Sequence, residues 1–310
     1  MNRTPSSFRG SKWALLQKSA SERAAPLSPF VSCHASDLGG AERNVYSGGE
    51  SERIVGRAVK DFAGREDVVV ATKAFFPMSD KPNDRGLSRK HILASVDASL
   101  HRLGMDYIDL FVIHRFDPET SIEETAEALD AVVRAGKVRY LGASSMHAWQ
   151  FMKLLAFQRH NLLARFVSMQ SQYNLITRED EEEMIPLCRE EVIGLTPWSP
   201  LGRGVLAGAR KAGTLRADTD EQVRQWYEGR GGVGETVAAV ESVAAARGEA
   251  PARIALASVL AGPGITSPIV GLSKPHHLAD ALGALSLDLS GDEIETLEAS
   301  MKTHLRGQRW

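Results

Sequence analysis

Six short apolar runs, each ending in a small or polar residue, constrain this chain more than any other feature. They are Val68–Lys73, Leu110–His114, Tyr140–Ser144, Phe166–Gln170, Val192–Trp198 and Pro268–Gly271. Continuous, β-branched runs of this length suit strands buried on both faces, as in a parallel sheet. Helical patterns separate them, so the order reads βαβα. The first five runs end in Lys73, His114, Ser144, Gln170 and Trp198, and the sixth ends in Gly271, which opens a helix. Such a sheet delivers functional groups from the C-terminal ends of its strands. Its natural container is a (β/α)8 TIM barrel, whose active site sits at that face.

The length of 310 residues fits one such barrel of about 250 residues plus loops. The formal net charge of -2 argues against a nucleic-acid or acidic-membrane partner. No apolar run approaches the ~20 residues that span a bilayer, and the N-terminus lacks the apolar core of a signal peptide. Cys33 and Cys188 are the only cysteines, far apart in sequence, which favours a cytoplasmic setting over a disulfide framework. The histidines show no HExxH spacing, and there is no CxxC, so no metal site is expected.

Residues 1–43 are rich in Ser, Ala and Arg. They hold only a short helical start at Trp13–Leu16 and a weak strand at Pro29–Ser32, and a disordered leader is one reading of them. From Tyr46 the register is clear. A Gly-rich loop feeds a helix with Ile54, Val55 and Val59 on one face. Ser88 caps the next helix, Ile92, Val96, Leu100 and Leu103 line its buried face, and Gly104 stops it. Ser121 and Glu124 form a capping box before Ile122, Ala126, Leu129 and Val133. A helix near Ala148–Phe157 and an acidic helix start over Glu179–Glu183 follow. Leu201–Gly234 reads as a long loop with some helix, the kind of segment that often binds or covers a ligand. Helices are expected near Thr236–Arg247 and Pro251–Leu260, from Pro275, and from Asp292. Gly229, Gly231 and Gly234 match GxGxxG, but no strand precedes them, so a dinucleotide fold there is rejected.

The strand ends suggest a chemistry. Lys73 and His114 would lie side by side at the barrel mouth, with Tyr46 on the loop before them. A phenol has an ordinary pKa of ~10. A nearby ammonium favours the phenolate and lowers it. Tyr46, Lys73 and His114 would together donate a proton to a carbonyl oxygen that gains negative charge. Ser144 and Gln170 could bind a carboxamide and Trp198 could stack on a flat ring, which are the contacts of a nicotinamide. Gly271, Ser273 and Lys274 at a helix start form an anion site in the usual phosphate position of a barrel. The cation favours NADPH over NADH. Each residue also has a plainer reading: a solvated Lys or His, a core Trp, an ordinary helix start. The chemical reading rests on all of them falling at strand ends of one barrel.

From Tyr46 to about Leu289 the chain resembles the aldo-keto reductase superfamily, in particular the branch of the fungal aryl-alcohol-type reductases and potassium-channel β subunits. The resembling stretches are Val45–Glu52, Ala71–Lys73, Asp106–Leu110 with Ile113–Arg115, Gly136–Trp149, Ser168–Gln170 with Gln172–Asn174, Pro197–Leu201 and Pro268–Gly271. The resemblance implies an eight-stranded barrel and NADPH-dependent reduction of aldehydes or ketones. It implies Tyr46 as general acid with Lys73 and His114, and Ser144 and Gln170 on the carboxamide, with Ser145 where many members have Asn. Trp198 would stack on the nicotinamide. Ser199, Leu201 and Arg203 would run along the pyrophosphate, and Gly271, Ser273, Lys274, His277 and Asp280 would hold the adenosine end.

The chain departs from the family pattern at its start. Ala41 stands where the family has an aspartate, and Ser32–Gly39 stands where the family has an apolar strand. Six barrel strands are visible, so the barrel is expected to be incomplete or irregular at its first two strands. The expected organisation is an atypical segment 1–43 followed by a barrel over 44–310. Three functions compete. The first is an NADPH-dependent carbonyl reductase acting on a small molecule. The second is a catalytically impaired NADPH-binding or regulatory relative. The third is a barrel isomerase or aldolase with Lys73 as the Schiff-base or proton-transfer residue.

Overall fold

The computed structural model describes residues 30–32, 47–208, 221–227, 229–272 and 274–299. Its frame is a six-stranded sheet in sequence order, β1 (Phe30–Ser32), β2 (Val69–Ala74), β3 (Ile108–Ile113), β4 (Val138–Ser144), β5 (Phe166–Gln170) and β6 (Gly194–Leu195). Every pairing is parallel. Isolated bridges carry the order further, joining Leu195 to Ile265 and Trp198 to Ile269. This alternation of parallel strands and helices is consistent with a (β/α)8 barrel, with six strands paired among the described residues. The weak strand expected over Pro29–Ser32 joins the sheet as β1.

Side chains alternate along these strands. Ala71, Leu110 and Val112 form a small inner cluster with Tyr140 and Val167 against it. Val70, Phe111, Ile113, Leu141 and Ala143 face the other way and meet the helices in the main core. Gly142 lies on the inner face, where a side chain would collide with Ser168 Oγ and press on Val112. The inner space near β4 and β5 therefore admits no side chain at 142.

The helix layer consists of α1 (Glu50–Phe62), α2 (Arg89–Leu103), α3 (Ile122–Arg134), α4 (Ala148–His160) and α5 (Met184–Glu190). It continues with α6 (Glu221–Tyr227), α7 (Val233–Arg247), α8 (Pro251–Ala261), α9 (Pro275–Ala284) and α10 (Gly291–Ala299). Ser88 accepts from the His91 amide, and Gly104 closes α2 in the left-handed conformation at φ 64°. Ser121 caps α3 by accepting from the Glu124 amide. The Glu124 carboxylate, expected to fold back on Ser121, instead accepts from the Arg89 amide at 2.8 Å. It thus caps the neighbouring helix, a partner no local pattern shows. Of the acidic start Glu179–Glu183, only Glu179–Glu181 forms a 3-10 turn, and α5 begins at Met184.

Two strand expectations shorten. Val192 is not in a strand. It has φ 57°, is 86% exposed, and follows the last turn of α5. Regular pairing begins at Gly194, because Ile193 and Leu195 are the apolar residues that reach the core. In Pro268–Gly271 only Ile269 pairs, and Ile265–Val270 is half-buried throughout. Gly229 lies in a turn with φ 78°, and among the described residues just before it stands α6 rather than a strand, so the glycine pattern there is the approach to α7. No helix among the described residues is long and apolar enough to cross a membrane.

Cys188 and His91 are two of the buried titratable groups in this frame. Burial pushes the Cys188 thiol up to about 12, with Asp180 adding to the effect. Burial also holds the His91 imidazole below its usual value, opposed in part by Asp84 and by a hydrogen bond to the Asn83 backbone. The unfolded chain therefore binds a proton at His91 that the folded chain resists below pH ~6.5. Stability is expected to fall as pH drops through that value. In urea titrations, His91→Gln should show a flatter dependence than the parent between about pH 6.5 and 5.5.

Candidate active site

The strand ends bring most of the expected residues to one rim. Lys73 in β2 lies opposite Val112 of β3, and the His114 amide donates to the Ala74 carbonyl at 3.0 Å. Lys73 and His114 thus end adjacent strands, on the same face as the inner cluster. Phe76 stands edge-on to the His114 ring, with centroids 4.7 Å apart, and the Arg115 guanidinium lies over Phe76. Farther round the rim, Phe116 approaches Trp149, which is more than half exposed.

On the next two strands Ser144 pairs with Gln170 in register, and Ser144 Oγ donates to the Gln170 carbonyl at 2.8 Å. Ser145 follows in the left-handed region at φ 49°, and its amide donates to the same carbonyl at 3.0 Å. The Trp198 indole N–H donates to Ser145 Oγ at 3.0 Å. Ser144, Ser145, Gln170 and Trp198 therefore form one cluster. The Gln170 side chain is 0% exposed, and neither its amide nitrogen nor its oxygen has a partner among the described residues. Leaving both groups unpaired costs on the order of 1–3 kcal/mol each. A buried amide with both donor and acceptor open is matched by a carboxamide, which carries the complementary pair.

The segment after Trp198 is held in an unusual backbone. Ser199 and Arg203 have φ 54° and 55°. Asn174 holds the first of these: its Nδ2 donates to the Ser199 carbonyl at 2.9 Å, while its Oδ1 accepts from the Ile176 and Thr177 amides. Strained backbone of this kind persists only where the surroundings over-determine it. Leu201 packs on the second core cluster, and the Arg203 guanidinium lies over the Trp226 ring. Trp226 also packs against Trp198, with centroids 5.8 Å apart. Tyr227 is buried, and Gln172 Nε2 donates to its hydroxyl at 2.7 Å. Trp226 and Tyr227 lie in the stretch read as a long loop with some helix, and both fall in α6. Their one signal was two adjacent aromatics in a polar segment.

The residues expected at the adenosine end lie on and before α9, after Ile269, which bridges to Trp198. Gly271 and Lys274 are exposed, and Lys274 occupies the N-cap with Pro275 in the first turn. His277 rests edge-on against His276. Asp280 accepts from Arg253 Nε at 3.2 Å, and Arg253 also pairs with Glu249. Arg253, which no strand-end pattern marks, thereby ties α8 to α9. Tyr46, Ala41 and Ser273 lie outside the described residues. Among the described residues no group of three or more His, Cys, Asp or Glu could hold a metal ion.

The family model for the aldo/keto reductase family matches residues 41–302. Versiconal hemiacetal acetate reductase of Aspergillus parasiticus is 41% identical over 276 residues, covering 82% of this chain and 80% of that protein. A putative aryl-alcohol dehydrogenase of Schizosaccharomyces pombe is 40% identical over 280 residues, covering 82% and 78%. A putative aryl-alcohol dehydrogenase of Saccharomyces cerevisiae is 39% identical over 283 residues, covering 84% and 81%.

Asn174 is 1% exposed and satisfies three backbone groups. Asn174→Ala would strand those groups, and the loss of unfolding free energy is expected to be about 3 kcal/mol. Chemical denaturation measures it.

Proposed function

Because the chain belongs to the aldo/keto reductase family, an oxidoreductase family that uses NAD(P)H on small carbonyl compounds, we propose that it reduces aldehydes or ketones to alcohols with NADPH. The observation that carries the reading is the Gln170 amide, buried and open at both atoms beside Ser144, Ser145 and Trp198. The donor set fits a nicotinamide carboxamide. The fit to NADPH rather than NADH rests on Lys274 at the start of α9, where a cation and a helix N-terminus both favour phosphate. Ser199, Leu201 and Arg203 would line the pyrophosphate, and Ser273, His277 and Asp280 the adenosine.

When bound, NADPH supplies the hydride. The chain's own residues manage the proton and the developing charge. Tyr46 holds the proton that the carbonyl oxygen takes up. The Lys73 ammonium favours the phenolate that remains, and His114 orients the carbonyl by hydrogen bonding. Phe76 beside His114, with Phe116 and Trp149 farther out, makes the rim suited to flat, apolar substrates. Two of the relatives above are named for aryl alcohols, and an aryl aldehyde is the substrate class to try first. The catalytic unit in this reading is 44–310, with 1–43 as a separate segment. The two cysteines, of which Cys188 is a buried free thiol, suit the cytoplasm.

One observation favours a second reading. Ala41 stands where the resemblance expects an aspartate, and the loss of that carboxylate would change the tuning of Tyr46. The chain would then bind NADPH with little or no turnover.

Two measurements test these readings. NADPH consumption with a reactive aryl aldehyde is compared for the chain, Ala41→Asp and Tyr46→Phe. Turnover is expected in the chain, with Tyr46→Phe at least ~10²-fold slower and its NADPH affinity unchanged. Turnover only in Ala41→Asp would establish the second reading, and unchanged turnover in Tyr46→Phe would remove Tyr46 as the acid. Separately, Gln170→Leu should hold or raise the thermal midpoint, because it removes two unpaired buried groups. It should also weaken NADPH binding by about tenfold, ~1.4 kcal/mol, read by fluorescence titration. Unchanged binding would remove Gln170 from the cofactor site.

A further inference from the structure

We infer that Glu52 is a positioning residue for the proposed reaction, tying the loop that follows Tyr46 to the strand that carries Lys73. The inference rests on the reading of Tyr46 and Lys73 as the proton-donating pair.

Two acidic residues open α1, and they behave differently. Glu50 is exposed and pairs with Arg53 and Arg57 on the helix surface, as an acid at a helix N-terminus commonly does. Glu52 is 6% exposed. A carboxylate this deep is costly unless its oxygens are fully paired. Both are. Thr72 Oγ1 of β2 donates to Oε1 at 2.5 Å, and Arg102 Nε of α2 donates to Oε2. Arg102 also donates to Ser99 Oγ at 3.3 Å.

This one carboxylate therefore joins α1, β2 and α2, and both ends of the join lead to the proposed chemistry. Thr72 and Lys73 are consecutive, so they point to opposite faces of β2. Holding the Thr72 hydroxyl on the helix side fixes the rotation of the strand about its axis, and with it the direction of Lys73. At the other end Arg102 packs under Gly49, whose φ is 86°, and a side chain at Gly49 would collide with Arg102 Cδ and Nε. The turn Gly48–Gly49 thus sits directly on Arg102, and Tyr46 lies just before that turn in sequence. Buried ion pairs are weak contributors to net stability compared with apolar packing. Geometry is what this one supplies.

The test uses Thr72→Val, which removes the hydroxyl at nearly constant shape, and Thr72→Ser, which restores it. Arg102→Lys keeps the charge and removes the fork, and it takes the place of Thr72→Val if that variant does not fold. Aldehyde reduction, NADPH affinity by fluorescence and thermal unfolding are measured for each. Thr72→Val and Arg102→Lys are expected to lower kcat about tenfold, since small misplacements of reacting groups are costly. The KM for aldehyde and the Kd for NADPH should stay within about twofold, and Thr72→Ser should recover kcat to within about twofold of the parent. If kcat is unchanged in Thr72→Val, or falls as far in Thr72→Ser as in Thr72→Val, the inference is overturned while the reductase reading stands. Absence of turnover in the parent chain, with NADPH bound, overturns that reading and the inference with it.

Discussion

The alternation of side chains along parallel strands is the constraint on which the rest of this molecule depends. Strands β2 to β5 are covered on both sides, so they must be largely apolar on both. The outer residues, such as Phe111, Ile113, Leu141 and Met169, build the core shared with the helices. The inner ones, Ala71, Leu110 and Val112, fill the middle of the sheet's other face. Two residues farther along each strand, the same parity places Lys73, His114, Ser144 and Gln170. The polar rim is thus a continuation of the inner core, and a slip of one residue in register would turn it toward the helices.

Placing polar groups at such a rim requires support beneath and beside them. Asn174 donates to the Ser199 carbonyl and the Tyr227 hydroxyl and accepts from the Ile176 and Thr177 amides, and so holds Ser199 in a conformation that a non-glycine residue rarely adopts. Tyr227 takes the amide of Gln172 and packs near the same turn. Glu52 and Arg102 do the equivalent work below β2. Against this well-paired background Gln170 stands out. Its amide is as buried as any core leucine, yet it finds no partner among the described residues.

Local patterns were legible where the physics is local. The Ser88 and Ser121 caps and the stop at Gly104 all depend on residues within one turn, and all occur as expected. Patterns failed where a distant element decides. Val192 is β-branched and next to an apolar pair, which reads as strand, but the close of α5 places it in the left-handed region, facing solvent. Glu124 matches a capping box, but α2 begins close enough to take its carboxylate. Trp226 and Tyr227 belong to the site region only because α6 folds back on the turn after Trp198.

The sequence by itself determined the parallel α/β frame, because period-two burial and helical spacing are properties of short windows. It also determined which residues end the strands, and hence that Lys73, His114, Ser144, Gln170 and Trp198 share one rim. Tertiary structure alone decided what supports them. Ser145 became the acceptor of the Trp198 indole, Gly142 became the point where β4 and β5 leave no room for a side chain, and Asp280 became the partner of Arg253. Each of those contacts joins residues more than twenty positions apart, and no window of sequence short enough to read carries the distance between them.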